Sequence, residues 1–398
     1  GISGSTWSRC RPPPRSGLFS ERPLTVAVSR TVSLSSPWLD DREEELVIEV
    51  LRSGRLSLGP TIDRFEEEFA DAVGAPYAAA VSSGTAGLHL VCVTAGVGPG
   101  DEVVTSPYSF VASANCAIYE GATPVFADVD RRTLNLDPAA VESAITDRTR
   151  AVVAVDIYGY PCELDELRAL CEKCGIVLIE DACEALGARY KGRLLGSQGP
   201  PAVFAFYPNK QITTGEGGMV TTHSEEQWRL LRSLRNQGRA DSGGWLEHAR
   251  LGFNYRLDDV RAAIGLGQLE KLDEILASRA RVAACYSDLL GEIPGLELPC
   301  ADDADHERSW FVFVVTLPAG TDREAVIAHL DAHGVATARY LPCIHLQPYM
   351  QHSFGFRVGL CPVAEEMSAR TLALPFHARL DEDDQEYVAG TLAAALSS

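Results

Sequence analysis

AVVAVDI (residues 151–157), LDELRALCEKCG (164–175) and IVLIED (176–181) follow one another with little between them. The first and third are short, nearly continuous apolar runs. The middle one is helix-like. Two apolar runs joined by a helix within about thirty residues is the pattern of two parallel strands with a crossover between them. Strands covered on both faces lose the polar alternation of a half-exposed sheet, and these two have lost it.

The same alternation extends outward in both directions. Before it stand AAAVS (78–82) and a helix from Thr85, EVVTS (102–106), SFVASANCAIYEG (109–121) and TPVFADV (123–129). After it stand AVFAFY (202–207) and GMVTT (218–222). The reading is an α/β fold with a mixed, mostly parallel central sheet flanked by helices, over about residues 75–225. Two amphipathic helices precede it, DDREEELVIEVLRSG (40–54) and RFEEEFADAVG (64–74). A long helical stretch, 258–293, follows. RSWFVFVVTL (308–317) then reads as a strand, REAVIAHLDAHG (323–334) as a helix, and the chain from Glu365 as further helix. The expected division is a large domain over 34–260 and a smaller C-terminal α/β domain over 261–398. Residues 1–33 are Arg-, Ser- and Pro-rich with one acid, and read as a disordered leader; a transit peptide is the alternative.

Composition excludes several classes. The formal net charge is −20, so no basic footprint points to nucleic acid or to an anionic membrane. Any bound phosphate must be held by local groups, such as a helix N-terminus. The least charged stretch, 72–100, holds six glycines and two prolines and does not read as a spanning helix. The 11 cysteines suit a reducing cytoplasm. Cys171 and Cys174 form a lone C-x-x-C that no second cluster completes, so no metal site is expected.

Ligands of open α/β sheets bind beyond the carboxyl ends of the strands. Three segments put polar residues there. In AAAVSSGTAGLHL (78–90) a strand runs into Ser82-Ser83-Gly84-Thr85 and a helix begins, either a plain N-cap or an anion site. In GIVLIEDACEALGA (175–188) the strand ends on Glu180-Asp181. Such an acid can cap a helix, bind a metal or pair with a cationic ring. In AVFAFYPNKQITTGEGGMVTT (202–222) two strand-like runs flank a loop holding Lys210. A loop lysine is ordinarily solvated. An amine that acts as a nucleophile must be neutral, which requires desolvation or neighbouring cations. The order of anion site, strand-end Asp and loop Lys is that of a pyridoxal phosphate (PLP) site.

Seven motifs, RSGRLSLGPTIDRFEEEFA (52–70), SSGTAGLHL (82–90), PYSFVASANCAIYEGATPVFADVD (107–130), IEDACEALGA (179–188), FAFYPNKQITTGEGG (204–218), LGFNYRLDDVRAAIGLGQLEKLD (251–273) and YLPCIHLQPYM (340–350), are similar in kind and order to those of one family. The chain, from about Leu51 to Pro375, resembles the DegT/DnrJ/StrS sugar aminotransferases, which have the aspartate aminotransferase-like fold. The resemblance implies a Schiff base between Lys210 and PLP, with Lys210 also moving the substrate proton. It implies that Asp181 pairs with the pyridinium nitrogen and that Gly84 and Thr85 hold the phosphate. Phe110 would stack on the cofactor and Glu184 would lie near its ring oxygen. Asn254 would reach a phosphate across the interface of a homodimer, with Arg256 beside it. Tyr207, Asn209 and His345 are implied as substrate contacts.

Many relatives carry Ser five residues before the lysine; here that residue is Ala205. Some relatives carry His in place of the lysine and dehydrate their substrate. Lys210 therefore favours transamination. The implied reaction takes an amino group from an amino acid, L-glutamate foremost, to a nucleotide-linked 4-keto-6-deoxy sugar. A 3-keto sugar, a keto-cyclitol, or a non-catalytic regulator with the same fold are the alternatives.

Overall fold

The computed structural model describes residues 30–240 and 247–397. Most of the expected leader, residues 1–29, lies outside the described residues. Residues 30–33, assigned to it by composition, are tied to the C-terminal part: the Val32 amide donates to the Gly334 carbonyl (2.9 Å), and the Ala336 amide donates to the Val32 carbonyl (3.0 Å).

In chain order the elements are α1 (Asp41–Ser53), α2 (Pro60–Val73), β1 (Tyr77–Val81), α3 (Gly84–Thr94), β2 (Glu102–Thr105), α4 (Ala112–Tyr119), β3 (Thr123–Phe126), α5 (Pro138–Ala144) and β4 (Thr149–Val155). There follow α6 (Leu164–Cys174), β5 (Val177–Asp181), β6 (Arg189–Tyr190), β7 (Arg193–Leu194), β8 (Ala202–Ala205), β9 (Gly218–Thr222), α7 (Glu225–Arg235), α8 (Asp259–Glu270) and α9 (Leu272–Leu290). The chain ends with β10 (His306–Glu307), β11 (Phe313–Thr316), α10 (Arg323–Ala332), α11 (Pro348–Phe354), α12 (Pro362–Arg370), β12 (Thr371–Leu374) and α13 (Glu382–Leu396).

Seven strands form the main sheet in the order β1-β9-β8-β5-β4-β2-β3. β3, β2, β4, β5 and β8 are parallel neighbours, and only β9 runs against its neighbours β8 and β1. The sheet is therefore mixed and mostly parallel. Alternate residues sort to opposite faces, as a period of two requires. Ala78, Ala80, Val152, Ala154, Ala202 and Phe204 join the core under α2, α6 and α8. Ala79, Val81, Ala151, Val153 and Val203 join the core under α3, α4 and α7. Going from β4 to β5 the chain steps one way along the sheet, and from β2 to β3 it steps the other way. Right-handed crossovers then put α6 and α4 on opposite faces.

The N-terminal helices are bounded by their sequence. Asp40 and Glu43 form a capping box on α1, and Gly54 closes it in the left-handed conformation. The long stretch 258–293 is not one helix, since it breaks at Lys271 between α8 and α9. Ala262, Ala263 and Leu266 of α8, and Ile275 of α9, belong to the large core. Val282, Ala283, Tyr286 and Leu290 belong to the core of the C-terminal part. The change of core thus falls within α9, later in the chain than residue 260. The expectation of helix from Glu365 onward needs correction: Thr371–Leu374 is a strand, fully buried and antiparallel to β11. Its four residues follow α12 directly, so no turn signal announced them. No helix of the described residues is long and apolar enough to cross a membrane.

Candidate active site

β1, β5 and β8 end at the same edge of the sheet, and β9 starts there because it runs back. The β8–β9 hairpin, the start of α3 and the last residue of β5 are therefore neighbours, although distant in sequence. They surround a cavity of about 510 Å³ lined by Gly84, Thr85, Asp181, Glu184, Tyr207 and Lys210, among others. Phe110 and Asn209 line it too.

At the start of α3, Ser83 is extended (φ −167°), and its hydroxyl accepts from the Ala86 amide at 3.1 Å. The cap uses that amide alone. Gly84 and Thr85 open the helix, where backbone N–H groups have no intrahelical acceptor. The surroundings are tight. A Cβ on Gly84 would stand 2.8 Å from the Ala205 Cβ and 2.9 Å from the Cys183 Sγ; one on Gly218 would stand 2.7 Å from the Ser83 carbonyl carbon. Glycine lets β8, β9 and α3 meet here.

Asp181 is 5% exposed. Its Oδ2 accepts from the Ser113 hydroxyl at 2.7 Å and its Oδ1 from the Cys183 amide at 3.3 Å. Ser113 is itself bonded to the Ser109 hydroxyl at 2.8 Å. Lys210 approaches from the hairpin. Its Nζ lies 3.4 Å from Glu184 Oε1 and 4.0 Å from the centre of the Phe311 ring. Only 14% of its side chain is exposed, so it is not a solvated loop lysine. Glu184 Oε2 accepts from the Tyr158 amide at 3.0 Å. Burial holds the Glu184 carboxyl above its ordinary range, against the pull of the Lys210 ammonium.

The outer part of the cavity is aromatic and open. Phe110 and Tyr207 are 62% and 53% exposed. The Asn209 amide donates to the Tyr340 hydroxyl at 3.2 Å, and Tyr340 and Leu341 close one wall. Two expected residues are not brought to this cavity. Asn254 is exposed and forms a backbone bridge to Asn236, whose side chain accepts from Arg256 at 3.0 Å. His345 is fully buried, and its Nε2 bonds Glu365 Oε1 at 2.9 Å. Ile344–Leu346 forms a 3-10 turn that packs this imidazole inward, beside Phe126. In this arrangement His345 does not line the cavity; Tyr340 and Leu341 are the part of that segment that reaches it.

The model of one family, the DegT/DnrJ/EryC1/StrS aminotransferases, matches residues 37–393. The chain belongs to the DegT/DnrJ/EryC1/StrS aminotransferase family. It is 40% identical over 367 residues to spore coat polysaccharide biosynthesis protein SpsC of Bacillus subtilis, covering 89% of this chain and 94% of that one. It is 39% identical over 364 residues to GDP-perosamine synthase of Caulobacter vibrioides, covering 91% and 97%. Among solved structures, that of S. venezuelae DesV in complex with a ketimine intermediate is similar, with a TM-score of 0.86 and 34% identity over 92% of this chain and 99% of that one.

DegT/DnrJ/EryC1/StrS aminotransferases depend on PLP, and this chain is a sugar aminotransferase of that kind. The residues present fit the cofactor. The α3 start and its glycine cradle suit a phosphate, the buried Asp181 carboxylate suits a ring N–H⁺, and the desolvated Lys210 amine suits an aldehyde carbon. Several residues in or beside the cavity carry no signal in a single sequence. Ser113 sits one turn into a helix-like run and looks like any small core residue. Phe311 and Tyr340 lie about 100 or more residues beyond Lys210, and only the packing of the C-terminal part brings them to it.

Proposed function

We propose that this sugar aminotransferase moves the amino group of L-glutamate to a nucleotide-linked 4-keto-6-deoxyhexose, in a homodimer whose two sites are shared. The observation that carries the reading is the convergence of Lys210, Asp181 and the α3 start on one cavity with an open aromatic outer side. The near full-length likeness to GDP-perosamine synthase supports the substrate class. When bound, PLP supplies an electron sink for the carbanion formed at the amino carbon. The chain's residues do the rest. Gly84 and Thr85 hold the phosphate through the helix start, and Asp181 keeps a proton on the ring nitrogen. Phe110 covers one face. With that group bound, Lys210 would take the proton from the amino-bearing substrate carbon onto its Nζ and give it up again later in the transfer. Glu184 stands beside that amine and balances its charge. Tyr207 and Asn209 border the space for the sugar. Asn254, exposed on its own subunit, suits a phosphate in the site of a partner subunit.

The test is a two-step assay of purified protein with PLP. Release of 2-oxoglutarate from L-glutamate, followed by amination of a panel of nucleotide-linked keto sugars, should give parallel-line ping-pong kinetics. Lys210→Ala should abolish both steps and the Schiff-base absorbance. Absence of 2-oxoglutarate, or of any aminated sugar across 4-keto and 3-keto substrates, defeats the reading.

A further inference from the structure

Arg279 lies in α9 where the chain passes from the large core to the C-terminal core. It is 2% exposed. Among the described residues it forms no ion pair, which is unusual for a buried guanidinium. Its partners are two backbone carbonyls: Nη1 donates to Phe311 at 3.1 Å, and Nη2 donates to Lys210 at 2.9 Å. These are the residue that carries the amine and the residue whose ring lies against that amine. The planar fork of a guanidinium can hold two acceptors in fixed relation, which an ammonium on a flexible stem cannot.

Stability alone does not account for such a residue. Burying a guanidinium that no carboxylate neutralises carries a desolvation cost, against which stand only the two carbonyl bonds. An apolar residue would also suit the neighbouring Phe376 ring, 5.6 Å from the guanidinium. The hairpin that holds Lys210 has its own turn bond, from the Lys210 amide to the Tyr207 carbonyl (2.9 Å), and needs no guanidinium to form. What the two carbonyl bonds fix is the distance between the hairpin and the segment running into β11.

We propose that Arg279 is a positioning residue for amino transfer, clamping the Lys210 and Phe311 backbones together so that the Lys210 amine stays aimed into the cavity. The proposal rests on the reading of Lys210 as the reacting amine. It acts through geometry and touches neither substrate nor cofactor.

The test uses the full-length chain carrying Arg279→Met, Arg279→Gln and Arg279→Lys. Loss of roughly 1 Å of alignment costs about 100-fold in rate, so kcat of the glutamate step in Arg279→Met should fall by roughly 30- to 100-fold, with KM changed by less than about threefold. Arg279→Lys should recover part of that loss, since one ammonium can still reach one carbonyl. In cofactor-free protein, labelling of the Lys210 amine by acetic anhydride, followed by peptide mass mapping, should become several-fold faster as the amine leaves the Phe311 ring. A kcat within about twofold of the parent overturns the proposal. So does a loss of kcat that tracks the folded fraction while Lys210 labelling stays unchanged. Failure of all three variants to fold assigns Arg279 to structure only and overturns it as well. Inactivity of the parent itself would instead strike the reading of Lys210, and the labelling arm would still judge the clamp.

Discussion

Asp181 is held by one side-chain hydroxyl and one backbone amide. Its Oδ2 is held by Ser113, and few other donors reach it in a buried site. Ser113→Ala should weaken the carboxylate's hold by about 1.5–3 kcal/mol, the usual worth of a hydrogen bond to a charged group. The expected outcome is a tenfold or greater rise in the PLP dissociation constant, read by absorbance titration, with the melting temperature of the apo chain little changed. A second buried acid lies on the opposite face of β5. Burial pushes Glu180 up to about 7, and the nearby Asp156 carboxyl, also buried, is raised as well. Glu180 Oε1 accepts from the Gly196 amide at 2.9 Å, while its Oε2 has no hydrogen-bond partner. A folded-state pKa above the unfolded value means stability that is present at low pH and lost as pH rises through the folded value. Glu180→Gln removes that titration. Urea unfolding at about pH 5 and about pH 8 should therefore show the variant gaining on the parent toward the higher pH, by about 1–3 kcal/mol. At this scale the sequence was informative where a polar residue ends an apolar run. Lys210, Asp181 and Thr85 stood out because the chemistry of their surroundings changes abruptly. At His345 the residue type alone suggested a contact, while its orientation is set by Glu365, twenty residues on in the chain.

The β8–β9 hairpin and the start of α3 form one unit, and their sequence fits it. β8 and β9 pair directly, from Ala202 with Thr221 to Ala205 with Gly218, which fixes the loop that carries Lys210 at the open edge. Gly218→Ala should open that joint, because its Cβ would meet the backbone of Ser83 and Gly84 and the Phe204 carbonyl, each within 2.8 Å. Overpacking of this kind costs about 1–3 kcal/mol, and the thermal midpoint of the apo chain should fall accordingly. Ala205→Ser acts in the other direction. Its Cβ already faces Gly84, so a hydroxyl added there can reach an anion at the helix start, and PLP should bind more tightly by about 1–2 kcal/mol. An unchanged PLP affinity would mean that Ala205 lies off the phosphate. Elements with a strong period, such as α1 and α6, or a continuous apolar run between polar turns, such as β4, were legible in the sequence. β12 was not, because an apolar quartet directly after a helix has no period of its own and its pairing with β11 is decided by tertiary packing.

Across the whole molecule the N-terminal segment has a role that its composition concealed. Val32 is 1% exposed and packs in the C-terminal core, while Leu34 accepts from the Phe376 amide at 2.9 Å. The chain therefore begins its described course in the part where it ends. Val32→Ala should cost about 1–3 kcal/mol, seen as an earlier unfolding transition. The proposed dimer is judged at this scale too. Sedimentation should give twice the chain mass, and Asn254→Asp should weaken PLP binding although Asn254 lies outside its own subunit's cavity.

By itself the sequence determined the alternation of apolar runs and helices, and hence a mostly parallel sheet with its ligand edge at the strand carboxyl ends. It also determined which polar residues stand at that edge, since a change from buried strand to polar turn is a local signal. Only the tertiary structure decided which distant segments close the site. The Phe311 ring, the Tyr340 wall and the Arg279 clamp come from chain far beyond Lys210, and contacts of that length leave no period or spacing to read. The half-buried state of Lys210 itself belongs to that second class: desolvation is a property of everything packed around a residue, and no stretch of sequence contains it.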